Sequence, residues 1–109
     1  MPSALPQPVT ATATLAAATP TTIDLNLNAS TNWTIVLRNT GANPVTAVTI
    51  AVSPLGDLFE AAASITTGLP LAAATSLPAI VGSSEPARTV RLVVTSTLGS
   101  TVSVEALGQ

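Results

Sequence analysis

Side chains that do chemistry are nearly absent from this chain. Its 109 residues include no His, no Cys and no Tyr, and the only cations are Arg38, Arg88 and Arg91. His and Cys are the commonest general base and the commonest metal ligands, so Ser-His-Asp triads, thiolate nucleophiles and Cys/His metal sites are excluded. No Gly-x-Gly-x-x-Gly or phosphate-loop pattern occurs, and the six glycines are scattered near turn signals. The carboxylates remain. Asp57 and Glu60 could share one face of a helical turn and act as a pair or hold a hard cation. Calcium wants about six to eight oxygens, and this region supplies two carboxylates. First-turn acids beside a helix dipole account for them as well. Glycosidase chemistry would need a cleft with stacking aromatics, and the chain has only Trp33 and Phe59. No catalytic residue, metal ligand or cofactor is assigned, and the expectation is a protein that is not an enzyme.

Three other features could bind rather than react. Trp33 could be a ligand platform, but it is in phase with Ile35 and Leu37 and reads as a core position. Glu85, Arg88 and Arg91 cluster around Pro86, either as a solvated loop or as an ion pair between subunits. Asn28-Ala29-Ser30 and Asn32-Trp33-Thr34 match glycosylation acceptors, which matter only in a chain with eukaryotic export.

Composition narrows the partners. Apolar residues make up 47% of the chain, enough for a core, and charged residues only 7%. Ordinary domains carry about 25% charge, and free monomers use surface charge for solubility. Polarity here comes from Thr, Ser and Asn. Such a surface suits a module covered by neighbours, or a secreted or cell-surface domain. Three arginines cannot neutralise a run of phosphates, so no nucleic-acid partner is expected. No membrane partner is expected either, because the best apolar run, Leu69 to Val81, is interrupted by Pro70, Thr75, Ser76 and Pro78. No small-molecule substrate and no secretion signal are read from the chain.

The elements that must position these residues are strands. Val9, Ala11, Ala13 and Leu15 alternate with threonines, and the same period of two runs through Ile23 to Leu27, Trp33 to Leu37, Val48 to Val52, Val90 to Val94 and Val102 to Ala106. That period marks half-buried strands. Turn signals at Thr19-Pro20, Asn39-Thr40-Gly41, Ser53-Pro54 and Leu98-Gly99 divide them. The expectation is an all-β, immunoglobulin-like antiparallel β-sandwich of about seven strands at 9–109, with an extended N-terminal arm at 1–8. An arm carrying Pro2, Leu5, Pro6 and Pro8 orders only against a surface. One helical turn is expected at Asp57 to Ser64, and an irregular edge strand at Leu69 to Val81, where prolines are tolerated. The last two strands are expected to form a hairpin. Face parity and a left-handed Gly99 oppose Val94 to Val102 and Arg91 to Glu105 across the loop Thr97-Leu98-Gly99.

The stretch Trp33-Thr-Ile-Val-Leu-Arg-Asn-Thr-Gly41, followed by Asn43-Pro-Val-Thr-Ala-Val-Thr-Ile-Ala-Val52, resembles bacterial immunoglobulin-like modules of the CARDB type. The resemblance spans roughly Val9 to Leu107. It implies a sandwich used in adhesion, as a spacer or in particle decoration, with no catalytic residues to carry over. Together these readings point to a non-enzymatic virion decoration protein. It would pack with itself as a homo-oligomer, a trimer among the options, and against a capsid or other protein shell. The candidate interface residues are Pro2, Leu5, Pro6, Pro8, Glu85 and Arg88. Trp33, Gly41, Gly99, Arg91 and Glu105 are the candidate structural residues. The alternative is an adhesion or binding module on a bacterial cell surface.

Overall fold

Among the described residues, alternating apolar and hydroxyl side chains become eight strands. The computed structural model describes residues 8–30, 32–53, 58–77, 80–82 and 87–108. The strands are β1 (Val9–Leu15), β2 (Thr21–Ser30), β3 (Trp33–Asn39), β4 (Ala47–Ser53), β5 (Ala63–Ile65), β6 (Ile80–Gly82), β7 (Ala87–Thr95) and β8 (Ser100–Gly108). They form two four-stranded sheets in the orders β1-β8-β3-β6 and β2-β7-β4-β5. Every pair is antiparallel. The all-β sandwich therefore stands as the period of two implies.

The strand order has a simple logic. β1 pairs with β8, β2 with β7, β3 with β6 and β4 with β5. The chain behaves as one long hairpin folded at its middle and then rolled, so that successive arms fall in alternate sheets. This is jelly-roll order. It shares the two-sheet architecture of immunoglobulin-like modules, with a different neighbour list: here the first strand lies beside the last.

The core lies between the sheets. Leu25 and Leu27 from β2 and Val90, Leu92 and Val94 from β7 meet Ile35 and Leu37 from β3 and Val102 and Val104 from β8, all buried. Burying one Leu, Ile or Val side chain contributes about 1.5–3 kcal/mol, and these strands bury one at nearly every second position. Trp33 joins the same cluster at the start of β3, where its phase with Ile35 put it.

Three expectations meet the structure differently. The β7–β8 hairpin does not form. β7 pairs with β2 and β4, and β8 with β1 and β3. Arg91 is opposite Asp24 and Ala51, while Glu105 is opposite Thr10 and Val36. The parity argument was correct about the face and incorrect about the partner. Both strands point their even-numbered apolar residues at one core, but from opposite sides of it.

The helical turn is also absent from its described part. Residues 58–62 are irregular and Ala63–Ile65 is strand β5; Asp57 lies outside the described residues. Glu60 N–H donates to the Val52 carbonyl at 2.8 Å. This segment therefore runs along β4 instead of coiling on itself. The span from Leu69 resolves into two isolated bridges, Val45 with Leu71 and Arg38 with Ser76, and then β6 at the edge beside β3. The edge placement agrees with expectation. Pro78 lies outside the described residues, as do Pro2, Leu5, Pro6 and Glu85.

Candidate functional site

The densest polar arrangement in the described structure is centred on Asn39, at the end of β3. Asn39 is fully buried, which leaves its amide dependent on protein partners. It has four. Nδ2 donates to the Asn43 carbonyl at 2.7 Å and to the Leu71 carbonyl at 2.9 Å. Oδ1 accepts from Gly41 N–H at 3.1 Å and from the Ser100 hydroxyl at 2.7 Å. Its backbone is held too, by Thr75 and Ala74. One side chain thus joins the β3–β4 loop, the β5–β6 connection and the start of β8. Asn43 extends the network to the Gly99 carbonyl at 2.8 Å, and the buried Ser96 hydroxyl donates to the Pro44 carbonyl at 2.7 Å. Among the described residues, no buried side-chain nitrogen or oxygen lacks a partner.

Two of the candidate structural residues, Gly41 and Gly99, belong to this hub. Gly41 lies so close to β8 that a Cβ there would strike Ser100 Oγ and sit 2.5 Å from Thr101 N. Gly99 has φ of 86°, the left-handed conformation expected of it, and uses it to cross between sheets rather than to close a hairpin. A Cβ at Gly99 would also approach the Leu15 carbonyl to 3.0 Å. Gly99→Ala is expected to lower the unfolding free energy by about 1–2 kcal/mol, measured by urea denaturation. A loss within error would mean the crossover relaxes without strain.

Arg91 is engaged on the outer face of the second sheet. Its Nε donates to Asp24 Oδ1 at 2.8 Å and its Nη2 to Oδ2 at 3.0 Å. Its guanidinium carbon lies 4.1 Å from the centroid of the Phe59 ring. The hydrogen bonds to Asp24 push the guanidinium pKa up; the Asp24 charge adds to this and desolvation opposes it. Fork-shaped pairing and ring contact hold the cation within the sheet. Ala51, across the ladder from Arg91, is buried although it faces outward. The Phe59 segment along β4 explains the break in alternation there.

Glu105 faces out from the first sheet. With Val36, Arg38, Ser76 and Ser103 it lines a shallow depression of about 230 Å³. Arg38 donates there to Ser76 Oγ at 3.4 Å. Arg88 and Pro8 are exposed. A larger open groove of about 380 Å³ runs beside β4 and β5, lined by Val48, Ile65, Leu69 and Pro70 with threonines and Ser64. Its volume is in the range of small-molecule sites, but no ionisable side chain is among its described lining. Among the described residues no group of three or more acidic, His or Cys side chains could hold a metal.

These faces are presented by a rolled sandwich, and the sandwich has a counterpart of known structure. The fold is similar to that of the Yersinia pseudotuberculosis-derived mitogen. The TM-score is 0.57 at 15% identity, over 96% of this chain and 88% of the mitogen. At that identity the likeness speaks for the fold alone. No protein-family model matches the chain, and no curated protein matches it.

Sequence reasoning took Asn39 only as part of a turn signal. Its phase held more. Asn39 continues the odd-numbered series Trp33, Ile35, Leu37 that points inward. A polar residue on a core phase must be hydrogen-bonded where it ends up. The partners Ser100 and Leu71 could not be named before the fold brought them there.

Proposed function

We propose that this chain is a non-enzymatic structural protein that decorates a virion shell. The observation that supports this reading most is the scarcity of charge on broad sheet faces. Only 7% of residues are charged, and on the outer face of the first sheet Thr10, Thr12 and Thr14 of β1 lie beside Thr101, Ser103 and Glu105 of β8, with Arg38 of β3 further along. Hydroxyls keep such a face wettable, yet they desolvate at less cost than ions when a neighbour covers them. Arg91, one of the three cations, is engaged within its own sheet. The jelly roll supports the reading only weakly, because it serves capsid and sugar-binding domains alike.

On this reading the Trp33 to Val52 stretch that resembles CARDB-type modules is scaffold, carrying β3, β4 and the Asn39 hub. Copies bind each other and the shell, and burial on assembly stabilises the shell by mass action. Antibody labelling of cultures that make the protein, viewed by electron microscopy, tests this. Label on regular protein particles is the expected result. Label on intact cell surfaces instead would replace decoration with the adhesion module.

A further inference from the structure

Among the described residues the two open sheets have four edges, and three of them are guarded. An exposed edge strand offers unpaired N–H and C=O groups to any other strand, so proteins blunt edges with shortness, charge, proline or bulges. β5 and β6 are three residues each. β2 is longer, but it carries Asp24 and a register shift between Asn26 and Ser30. β1 has none of these devices. It is seven residues, Val-Thr-Ala-Thr-Ala-Thr-Leu, without charge, proline or glycine. Its register with β8 is unbroken from Val9 to Leu15. Its core-facing Val9, Ala11 and Ala13 are only half-buried although they pack on the core cluster. The hydrophobic interior is thus thinly covered along this flank, as it also is near Ile65 and Ile80 on the short strands β5 and β6.

We infer that β1 is a self-docking edge, paired antiparallel with β1 of a second copy across a two-fold axis at Thr12. The inference rests on the assembly reading and names the surface that joins the copies. An occupant of this edge must alternate small apolar and hydroxyl side chains in the same phase and bring no unpaired charge. β1 meets that description itself. With Thr12 on the axis, Thr10 opposes Thr14 of the other copy, Ala11 opposes Ala13 and Val9 opposes Leu15. Opposed residues in an antiparallel pair share a face, so all threonines stay outward and all apolar residues stay on the core side. Threonine pairs across strands are favourable, and the contact is isologous, as a two-fold requires. The two first sheets merge into one of eight strands, with β1 no longer an edge.

The test uses the full chain in sedimentation velocity over a concentration series. The wild type is expected to shift from monomer to dimer. Thr12 is exposed on the outer face, so T12K and T12E keep the sandwich, which thermal melts verify. Each alone places like charges opposite each other and is expected to weaken association about ten-fold or more. Mixing T12K with T12E is expected to restore the dimer. A wild type that stays monomeric throughout, or a T12K variant that associates as the wild type does, overturns the inference. Trimers or larger species unaffected by T12K also overturn it, while placing assembly on another surface. Particle labelling judges the decoration reading independently, whatever the sedimentation result.

Discussion

Replacing Asn39 with leucine is expected to lower the unfolding free energy by about 3–5 kcal/mol. Leucine fills a similar volume, so the effect isolates polarity. Four groups lose a hydrogen bond at once: the carbonyls of Asn43 and Leu71, Gly41 N–H and the Ser100 hydroxyl. The Leu71 carbonyl keeps Val45 N–H and Gly41 N–H keeps the Thr101 carbonyl, so the cost falls mainly on the Asn43 carbonyl and the Ser100 hydroxyl. Each polar group left buried without a partner costs about 1–3 kcal/mol, and rotation of the Ser100 hydroxyl recovers part of this. Domains have total stabilities of about 5–15 kcal/mol, so the variant stands near the limit of folding. A fall of roughly 15 °C in Tm is the calorimetric counterpart. N39D is expected to be worse, because a carboxylate presents lone pairs to two carbonyls and must be buried as a charge or protonated. A Tm within about 2 °C of the wild type for N39L would show that the network does not hold the loops together.

Gly41→Ala has the next largest expected effect, about 2–3 kcal/mol. The reason is space, not backbone dihedral. The added methyl would lie 2.5 Å from Thr101 N and would strike Ser100 Oγ. The Ser100 hydroxyl could turn away, but a backbone nitrogen in the middle of a ladder cannot. Gly41 N–H itself donates to the Thr101 carbonyl at 2.9 Å, so the loop would have to lift from β8 and stretch that bond. Lifting also pulls Asn39 from Ser100. The two substitutions therefore share a mechanism. Their double mutant is expected to be less destabilised than the sum by about 1 kcal/mol. Additive losses in equilibrium urea titrations would separate the two sites and refute the shared displacement.

The strands were legible because their period is written residue by residue, as in Trp33, Ile35 and Leu37 on β3. What parity cannot carry is sheet membership. In a sandwich, inward residues of both sheets see one core, so Val94 and Val102 look alike whether their strands pair or face each other across it. Gly99 serves either geometry. Charge did not resolve the choice, since Asp24 and Glu105 are both acids and Arg91 could satisfy either. The segment after β4 misled for another reason. Helix-forming residues such as Glu60 and Ala61 were outweighed by hydrogen bonding along a strand. Propensity is a weak prior beside tertiary contacts. The self-docking edge was half legible: the uncharged Thr-Ala repeat was in view, but only the topology shows that β1 is an edge.

The nested pairing of first strand with last sets a timetable. β8 is the last of the described strands in sequence, yet it lies between β1 and β3. Leu15 must meet Ser100, and Val9 must meet Ala106. A chain emerging from the ribosome holds β1 and β3 early but lacks the strand that joins them. Until β8 is released, β1 has uncovered N–H and C=O groups along both sides. Such distant pairings fold slowly, over milliseconds to seconds. During that interval an uncharged Thr-Ala strand is open to unintended partners. Shielding β1 until β8 has been made would protect the sandwich at the most exposed stage of its assembly.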